Sequence, residues 1–168
     1  MIIEAEKISY DYGDIKALEE ISFEVKPVEL LGIIGPNGSG KTTLIKNLTG
    51  ILKNNGKIYF NNRASSLTNL NRKSVAKKIG VVPQMSKLKG DFTVREVIEM
   101  GRYPYQKKFK DNDINGKDIV ENVIKKLDLS SFEDRFVGEL SGGEFQKVLI
   151  ARALAQEPEI LIFDEATS

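Results

Sequence analysis

The sequence contains neither cysteine nor histidine. Without cysteine the chain can form no disulfide and no thiolate metal site, although this absence does not settle the compartment. No apolar run reaches the ~18 residues of a membrane-spanning helix, and the N-terminus lacks a basic segment followed by a long apolar stretch. We therefore expect a soluble protein that works in the cytoplasm.

Charge of either sign is not in excess, with 25 basic against 24 acidic residues and a formal net charge of +1. Such a balance creates no long-range field that would attract nucleic acid, so any binding of anions has to be local. With 168 residues and 40% hydrophobic content, the chain is large enough for a substantial core. We expect one domain, with room for an inserted lobe.

A glycine-rich stretch has the pattern of a phosphate-binding loop. Its members are Gly35, Pro36, Asn37, Gly38, Ser39, Gly40, Lys41, Thr42 and Thr43. The apolar run of residues 30–34 before it predicts a strand, and the apolar spacing of residues 44–52 after it predicts a helix. Strand, loop and helix are the context that this motif requires.

The residue types of this loop suit the binding of phosphate. The glycines at positions 35, 38 and 40 are expected to adopt positive φ angles and to bring backbone N–H groups against an anion, together with the first turn of the following helix. Lys41 adds a full positive charge, and Thr42 offers a hydroxyl oxygen to Mg²⁺. The alternative is a glycine-rich turn that happens to precede a helix, but the complete motif in its context favours phosphate binding.

Two kinds of apolar pattern predict two kinds of sheet. Residues 2–8, residues 21–26 and Lys57–Phe60 alternate apolar and polar side chains, which is typical of antiparallel strands with one buried face. Residues 10–14 form a predicted turn that exposes an aromatic side chain. The uninterrupted apolar runs at residues 33–34, Ile79–Val82 and Ile160–Phe163 instead predict strands that are covered on both faces.

Residues 83–140 have a helical pattern. Thr93 and Glu96 have the spacing of a capping box, which predicts the start of a helix. A further helix is predicted after Asp113, because the apolar residues between positions 119 and 127 fall on one helical face.

Two adjacent carboxylates, Asp164 and Glu165, follow the last predicted strand, at the edge where open parallel sheets bind ligands. Successive strand residues point to opposite sides, so one carboxylate can hold Mg²⁺ or its water while the other polarises an attacking water. The alternative is that Asp164 only caps a helix. The phosphate loop upstream favours the catalytic interpretation.

Residues 140–144 predict a second anion-binding helix start. Ser141 and Glu144 fit a capping box for the helix that follows. Capping does not explain Gly142 and Gly143, because each glycine costs ~0.5 to 1 kcal/mol relative to alanine in a helix. Two glycines in the first turn leave bare N–H groups beside a serine hydroxyl. A single nucleotide cannot explain two phosphate sites unless the second one serves another copy of the protein.

Residues 35–42, 83–84, 140–144 and 160–165 stand in the order and approximate spacing of an ABC-type ATPase, and the resemblance covers nearly the whole chain. It implies an α/β P-loop NTPase domain of the ABC type, with a mixed or parallel core sheet, an N-terminal antiparallel β subdomain and an inserted α-helical subdomain. Residues 1–82 and 141–168 would then form the nucleotide-binding core, and residues 83–140 the helical subdomain.

The resemblance also implies ATP and Mg²⁺ as cofactors. Tyr12 resembles the aromatic residue that stacks on adenine, Gln84 the glutamine that senses Mg²⁺ and the γ-phosphate, and Glu165 the catalytic carboxylate that acts with Lys41. The metal ligands that it implies are Thr42, Gln84 and Asp164. In this family residues like 140–144 of one copy close over the ATP of the other, which implies a homodimer that sandwiches two ATP molecules.

Residues 94–104 are similar to those of importer ATPases for iron-siderophore complexes, haem and cobalamin. This similarity implies a subunit that docks through its helical subdomain on an integral membrane permease, at the inner face of the cell membrane. A solute-binding protein would be an indirect partner, and no nucleic acid is expected. Three alternatives stay open: an ABC ATPase of another import system, such as one for metal ions; a soluble ABC ATPase that acts on ribosomes or DNA; and a nucleotide-binding module without turnover.

Two departures from the family pattern stand out. Val28 occupies the position of the usual glycine before a glutamate, which is expected to affect the turn and to remove no ligand. The family also continues past residue 168 into a loop aspartate and a switch histidine. We therefore expect residues 1–168 alone to be a C-terminally incomplete ABC domain that is marginally stable or aggregates, and that hydrolyses ATP slowly.

Overall fold

A computed structural model describes residues 2–53, 55–84, 91–106 and 113–164, with the exception of the side chain at position 68. The chain divides into two compact units, Met1–Val75 and Ala76–Ser168. The predicted division into a nucleotide-binding core and a helical subdomain stays a prediction.

The first unit contains a four-stranded antiparallel sheet with the strand order β2-β1-β3-β4. Its strands are β1 (Ile3–Tyr12), β2 (Ile15–Val25), β3 (Lys57–Phe60) and β4 (Ser65–Ser66). β1 and β2 form a hairpin in which Ile3 pairs with Val25 and Tyr12 with Ile15. The prediction of antiparallel strands is therefore confirmed.

Irregular pairing between β1 and β2 explains why the alternation in the first strand is loose. Lys7 and Glu20 have positive φ angles of 48° and 46° at positions where the register shifts. The backbone N–H of Lys7 donates to Oγ of Ser22, and that of Glu20 donates to Oγ of Ser9, both at 2.9 Å. Serine hydroxyls thus accept bonds from backbone groups at the irregular positions of the ladder.

Helix α1 (Lys41–Leu48) follows the phosphate loop, and α2 (Arg72–Ala76) lies at the end of the unit, after a short 3₁₀ turn at Leu67–Asn69. α1 is shorter than the apolar spacing up to residue 52 predicts. Gly50 has a φ angle of 70°, and the N–H groups of Gly50 and Ile51 donate to the carbonyls of Asn47 and Lys46. This is a Schellman motif, which ends the helix and leaves Ile51 exposed.

The second unit has a helical core. Its helices are α3 (Val94–Glu99), α4 (Gly116–Lys126) and α5 (Gly142–Ala155), with 3₁₀ segments at Met100–Tyr105 and Val137–Glu139. Buried aliphatic side chains of the three α-helices pack together: Val94, Val97, Ile98, Val120, Val123, Ile124, Val148, Ala151 and Ala155. Both predicted capping boxes are present, one at Thr93 and Glu96 and the other at Ser141 and Glu144.

Strands β5 (Ile79–Val82) and β6 (Ile160–Phe163) of the second unit form a parallel pair, in which Ile79 lies opposite Ile160 and Val82 opposite Phe163. An antiparallel and a parallel sheet together confirm the predicted α/β class. The expectation that β6 is covered on both faces is wrong, because its side chains are half-buried and Phe163 is exposed. β5 is its only strand partner within the described residues.

The strand predicted at residues 30–34 is not formed. Leu30 and Ile34 are 95% and 98% exposed, and Val28 before them is fully exposed. An apolar run becomes a strand only when a neighbouring strand accepts its backbone hydrogen bonds, and the described residues supply none for this run.

Across the ranges that the structure describes, no helix is long and apolar enough to cross a membrane.

Candidate functional site

The phosphate loop is a tight turn that leads directly into α1. The N–H of Ser39 donates to the carbonyl of Pro36 at 3.1 Å, and that of Leu44 to the carbonyl of Gly40 at 2.8 Å. Gly38 and Gly40 have φ angles of 83° and 90°, which side chains other than that of glycine rarely permit. The predicted need for glycine at these two positions is confirmed.

Gly40 also lies against the backbone of β2. A Cβ atom at this position would overlap the carbonyl oxygen of Ala17 and approach Cδ2 of Leu18. The loop is therefore braced on the antiparallel sheet of its own unit. Gly35 does not adopt a positive φ angle, so the prediction for this residue is wrong. Gly35 lies close to Ser39 instead: a Cβ atom there would lie 2.6 Å from Oγ of Ser39, a hydroxyl that can rotate away.

Lys41 reaches back over the loop. Its Nζ donates to the carbonyl oxygens of Gly35 at 2.8 Å and of Pro36 at 2.9 Å. Both acceptors are neutral, and phosphate oxygens accept stronger, charge-assisted bonds from an ammonium group. The contacts hold the charge of Lys41 at the mouth of the loop, where a phosphate would compete with these two carbonyl oxygens for the ammonium group.

The N-terminus of α1 adds to the same site. Gly40 is the N-cap of this helix, so no side chain caps its first turn. Thr42 is exposed on this turn and Thr43 is buried beneath it. Backbone N–H groups at a helix start favour an anion through their partial positive charge. The loop and the helix start thus offer N–H groups, an ammonium group and a hydroxyl to one ligand.

Tyr12 is the last residue of β1, next to the hairpin turn at Gly13. The residue is 45% exposed, and its ring contacts Tyr10 edge to face, with a centroid distance of 4.9 Å and an angle of 75°. The contact orients the ring while nearly half of the side chain remains open to a base.

In the second unit, Gln84 and Asp164 follow the two parallel strands. Val82 and Phe163 lie opposite each other at the carboxyl ends of β5 and β6, and the N–H of Asp164 donates to the carbonyl of Val82 at 3.0 Å. The parallel register brings the chain at Gln84 and Asp164 to the same edge of this sheet, the edge at which the sequence places Asp164. Glu165 lies outside the described residues.

Ser141 and Glu144 form a closed set of hydrogen bonds at the start of α5. Oε2 of Glu144 accepts from the backbone N–H of Ser141 at 2.8 Å and from its hydroxyl at 2.7 Å, and the N–H of Glu144 donates to the serine oxygen at 3.4 Å. The bonds from Ser141 hold the pKa of Glu144 below its ordinary value. Gly142 and Gly143 are exposed beside this box, and nothing lies within 4 Å of where a Cβ of Gly143 would be.

Sequence reasoning missed a buried arginine. Arg102 forms two 2.8 Å bonds to Asp113, and its Nη1 donates to the carbonyl of Ala155 at 2.6 Å and to Glu157 at 2.9 Å. Its guanidinium lies 4.0 Å from the ring centre of Tyr105. We call Arg102, Tyr105, Asp113 and Glu157 the arginine clamp. The glycine that precedes Arg102 in the sequence was a possible signal of close packing. In the structure, a Cβ atom at Gly101 would overlap the carbonyl of Arg152.

The residues present fit a nucleotide and a magnesium ion. Side chains at positions 38 and 40 would be strained, and one at position 40 would also collide with β2, so the loop has the form of a backbone cradle. The oxygen donors that the resemblance implies are the Thr42 hydroxyl in the first unit, and the Gln84 amide and the Asp164 carboxylate in the second unit. Hard oxygen ligands of this kind suit Mg²⁺, which uses few protein carboxylates and completes its shell with phosphate oxygens and water.

Comparison with known proteins identifies a family. The protein-family model "ABC transporter" matches residues 18–168. The chain is 36% identical over 166 residues to the manganese transport system ATP-binding protein MntB of Halalkalibacterium halodurans, covering 98% of this chain and 64% of MntB. It is 35% identical over 167 residues to a Bacillus subtilis protein named "Probable siderophore transport system ATP-binding protein YusV", covering 99% of this chain and 60% of YusV. The chain thus spans less than two thirds of the length of these relatives.

A solved structure agrees with these sequence matches. The crystal structure of a nucleotide-free ATP-binding cassette from an ABC transporter superposes with a TM-score of 0.85 at 31% identity. The match covers 99% of this chain and 70% of that chain.

Proposed function

The chain belongs to the ABC transporter family of ATP-binding proteins, and from this premise we propose that it binds Mg·ATP at its phosphate loop and hydrolyses it to drive an importer. The observation that carries the proposal is the position of Lys41, whose Nζ spans the loop between the carbonyls of Gly35 and Pro36. A γ-phosphate would replace these neutral acceptors, and the ammonium would then stabilise the charge that develops in phosphoryl transfer.

Each of the other site residues has a role in this proposal. Tyr12 stacks on the adenine, and the N–H groups of Gly35 and residues 37–43 surround the phosphates. Glu165, as the resemblance implies, accepts a proton from the attacking water, and Gln84 senses the γ-phosphate. When bound, Mg²⁺ would neutralise phosphate charge, held through Thr42, Gln84 and Asp164.

Two copies of the chain would complete the site. We assign residues 140–144 to the γ-phosphate held by the second copy, because the exposed N–H groups of Gly142 and Gly143 are a second anion-binding helix start in a chain that carries one phosphate loop. The helical segment between the two sheet strands would dock on an integral membrane permease at the inner face of the membrane, with a solute-binding protein as an indirect partner.

The proposed cargo is an iron complex or a cobalamin-like solute. Residues 94–104 support this cargo by their similarity to importers of that group. The relative YusV is itself named as a probable siderophore transport protein. MntB is named for manganese transport. Uptake of labelled iron-siderophore, cobalamin and Mn²⁺ by cells with and without the gene would decide between these solutes, and loss of Mn²⁺ uptake alone would contradict the proposal.

Calorimetry with two ligands tests the nucleotide site. In the full-length protein, Lys41→Ala should lower the affinity for both ATP and inorganic triphosphate by at least about 100-fold, because the loop loses its full positive charge. Tyr12→Ala should weaken the binding of ATP by about 1 kcal/mol and leave the affinity for triphosphate unchanged, because it removes only base stacking.

Lys46→Ala is the matched control, since Lys46 is an exposed lysine on the same helix. It should change neither affinity. Unchanged ATP affinity in Lys41→Ala would contradict the assignment of the loop, and equal loss of both ligands in Tyr12→Ala would show that Tyr12 has only a structural role.

A further inference from the structure

The hydroxyl hydrogen of Ser141 already has an acceptor within the chain. A serine hydroxyl carries one hydrogen, and an ionised carboxylate can only accept. The 2.7 Å bond between Oγ of Ser141 and Oε2 of Glu144 is therefore donated by the serine. The N–H of Glu144 donates to the same serine oxygen at 3.4 Å. Ser141 accordingly presents oxygen lone pairs, and no hydrogen, to an anion at the first turn of α5.

The same carboxylate oxygen also holds the backbone of Ser141. Oε2 of Glu144 accepts the N–H of Ser141 at 2.8 Å, which completes the capping box that starts α5. A glutamine at position 144 could keep that backbone bond, since glutamine also forms capping boxes. It would bind the hydroxyl less strongly, because hydrogen bonds to a charged acceptor are about twice as strong as those to a neutral one. The negative charge and the capping role can thus be separated by one substitution.

We propose that Glu144 is a positioning residue that withholds the hydroxyl hydrogen of Ser141 from phosphate, so that closure of two copies over ATP requires this hydrogen to change acceptor. The inference rests on the proposed function, in which residues 140–144 face the γ-phosphate held by the second copy. The open space at Gly143 leaves room for that phosphate. Glu144 therefore weakens closure and favours separation of the two copies.

The test measures the dimerisation constant of the full-length protein by sedimentation equilibrium, with a saturating non-hydrolysable ATP analogue and with ADP. Glu144→Gln should tighten the analogue-dependent dimer by about tenfold, because phosphate no longer competes with a charged acceptor for the hydroxyl hydrogen of Ser141. Dimerisation with ADP, which has no γ-phosphate, should not change. Thermal unfolding of each variant verifies that the cap of α5 is kept.

The same substitution in a Ser141→Gly protein distinguishes an effect of the serine hydroxyl from simple charge repulsion. Ser141→Gly removes the hydroxyl, and glycine is nearly as good a helix N-cap as serine. In this background Glu144→Gln should tighten the dimer by less than about twofold. Equal tightening in both backgrounds would overturn the inference, because the effect would then come from the charge alone. No tightening in the Ser141 background would also overturn it.

The outcome for the parent protein distinguishes this inference from the proposed function. If the parent forms the analogue-dependent dimer and Glu144→Gln does not change the dimerisation constant, the proposed role of Glu144 is wrong and the proposed function is unaffected. A protein that binds the analogue and never dimerises, in any variant, would overturn the proposed closure and the inference together.

Discussion

At the scale of the residue, Val28 has a backbone conformation that suits glycine. Its φ angle is 61°, the N–H of Glu29 donates to the carbonyl of Lys26, and Pro27 lies between them. Proline followed by a positive φ angle is the pattern of a type II turn. A β-branched side chain is strained in this conformation, at about 1 to 2 kcal/mol. The sequence departure at this position therefore has a structural cost.

Val28→Gly should raise the free energy of unfolding by about 1 kcal/mol, since the side chain is fully exposed and its loss removes no packing. Urea unfolding of the full-length protein measures this change. Val28→Ala is the matched control, because alanine removes the branch and keeps the Cβ atom. Equal gains in both variants would show that branching, and not the positive φ angle, is the source of strain.

Local patterns predicted the residues whose role depends on near neighbours in sequence. The capping boxes at Thr93 and Ser141 involve partners three residues away, and both are present. Arg102 escaped prediction because none of its partners is a near neighbour in sequence: Asp113 lies eleven residues later, and Ala155 and Glu157 more than fifty. The positive φ angle predicted for Gly35 is absent, because a glycine in a sequence motif does not reveal its own backbone conformation. The roles of the site residues in ATP binding stay predictions.

At the scale of the element, the arginine clamp fastens the 3₁₀ segment Met100–Tyr105 to the end of α5. Arg102 contacts Asp113, Ala155 and Glu157, and the hydroxyl of Tyr105 donates to the carbonyl of Gln156 at 3.0 Å. The ion pair with Asp113 is almost fully buried. Removing Asp113 takes away the more buried of the two carboxylates that pair with Arg102 and leaves it with Glu157, which is about half exposed. Loss of a buried partner costs much more than an exposed pair is worth.

Asp113→Asn should therefore lower the free energy of unfolding by about 3 kcal/mol at neutral pH. Arg102 holds the pKa of Asp113 below its ordinary value. A lowered folded pKa adds stability above the unfolded pKa, and this stability is lost as the pH falls through the folded pKa. The gap between parent and variant should thus be constant from about pH 6 to 8 and shrink below about pH 4.

Urea unfolding at a series of pH values checks this prediction. Glu19→Gln, which breaks the exposed ion pair with Lys16, is the control and should change nothing measurable. A gap that stays constant down to pH 3 would contradict the assigned ion pair.

The strands show where sequence patterns stop being sufficient. β3, β5 and β6 were predicted with the right bounds, because each has a paired neighbour in the structure. Residues 30–34 have an equally apolar pattern and form no strand. A strand forms only when a second segment accepts and donates its backbone hydrogen bonds, and the pattern of one segment does not reveal whether that second segment is present.

At the scale of the whole molecule, contiguous apolar side chains are exposed beside the phosphate loop. Leu30 and Ile34 are almost completely exposed, and Leu31 and Ile33 are nearly half exposed. Apolar surface of this kind favours association between chains. We therefore expect residues 1–168, expressed alone, to self-associate at micromolar concentration.

Light scattering against concentration tests this expectation. Ile34→Lys should reduce self-association of residues 1–168, because it interrupts the exposed apolar run. Ile15→Lys is the control, since Ile15 is also exposed and lies outside the run. An equal effect of both substitutions would show that added charge, and not the apolar run, controls association.

The contact between Gly40 and β2 has a consequence for genetics. A side chain at position 40 would overlap a main-chain carbonyl, that of Ala17, and this atom is present whichever amino acid is encoded at codon 17. A loss-of-function allele such as Gly40→Ala therefore has no compensating allele at that codon. A selection for suppressors of Gly40→Ala should return reversions at codon 40 in preference to second-site changes in β2.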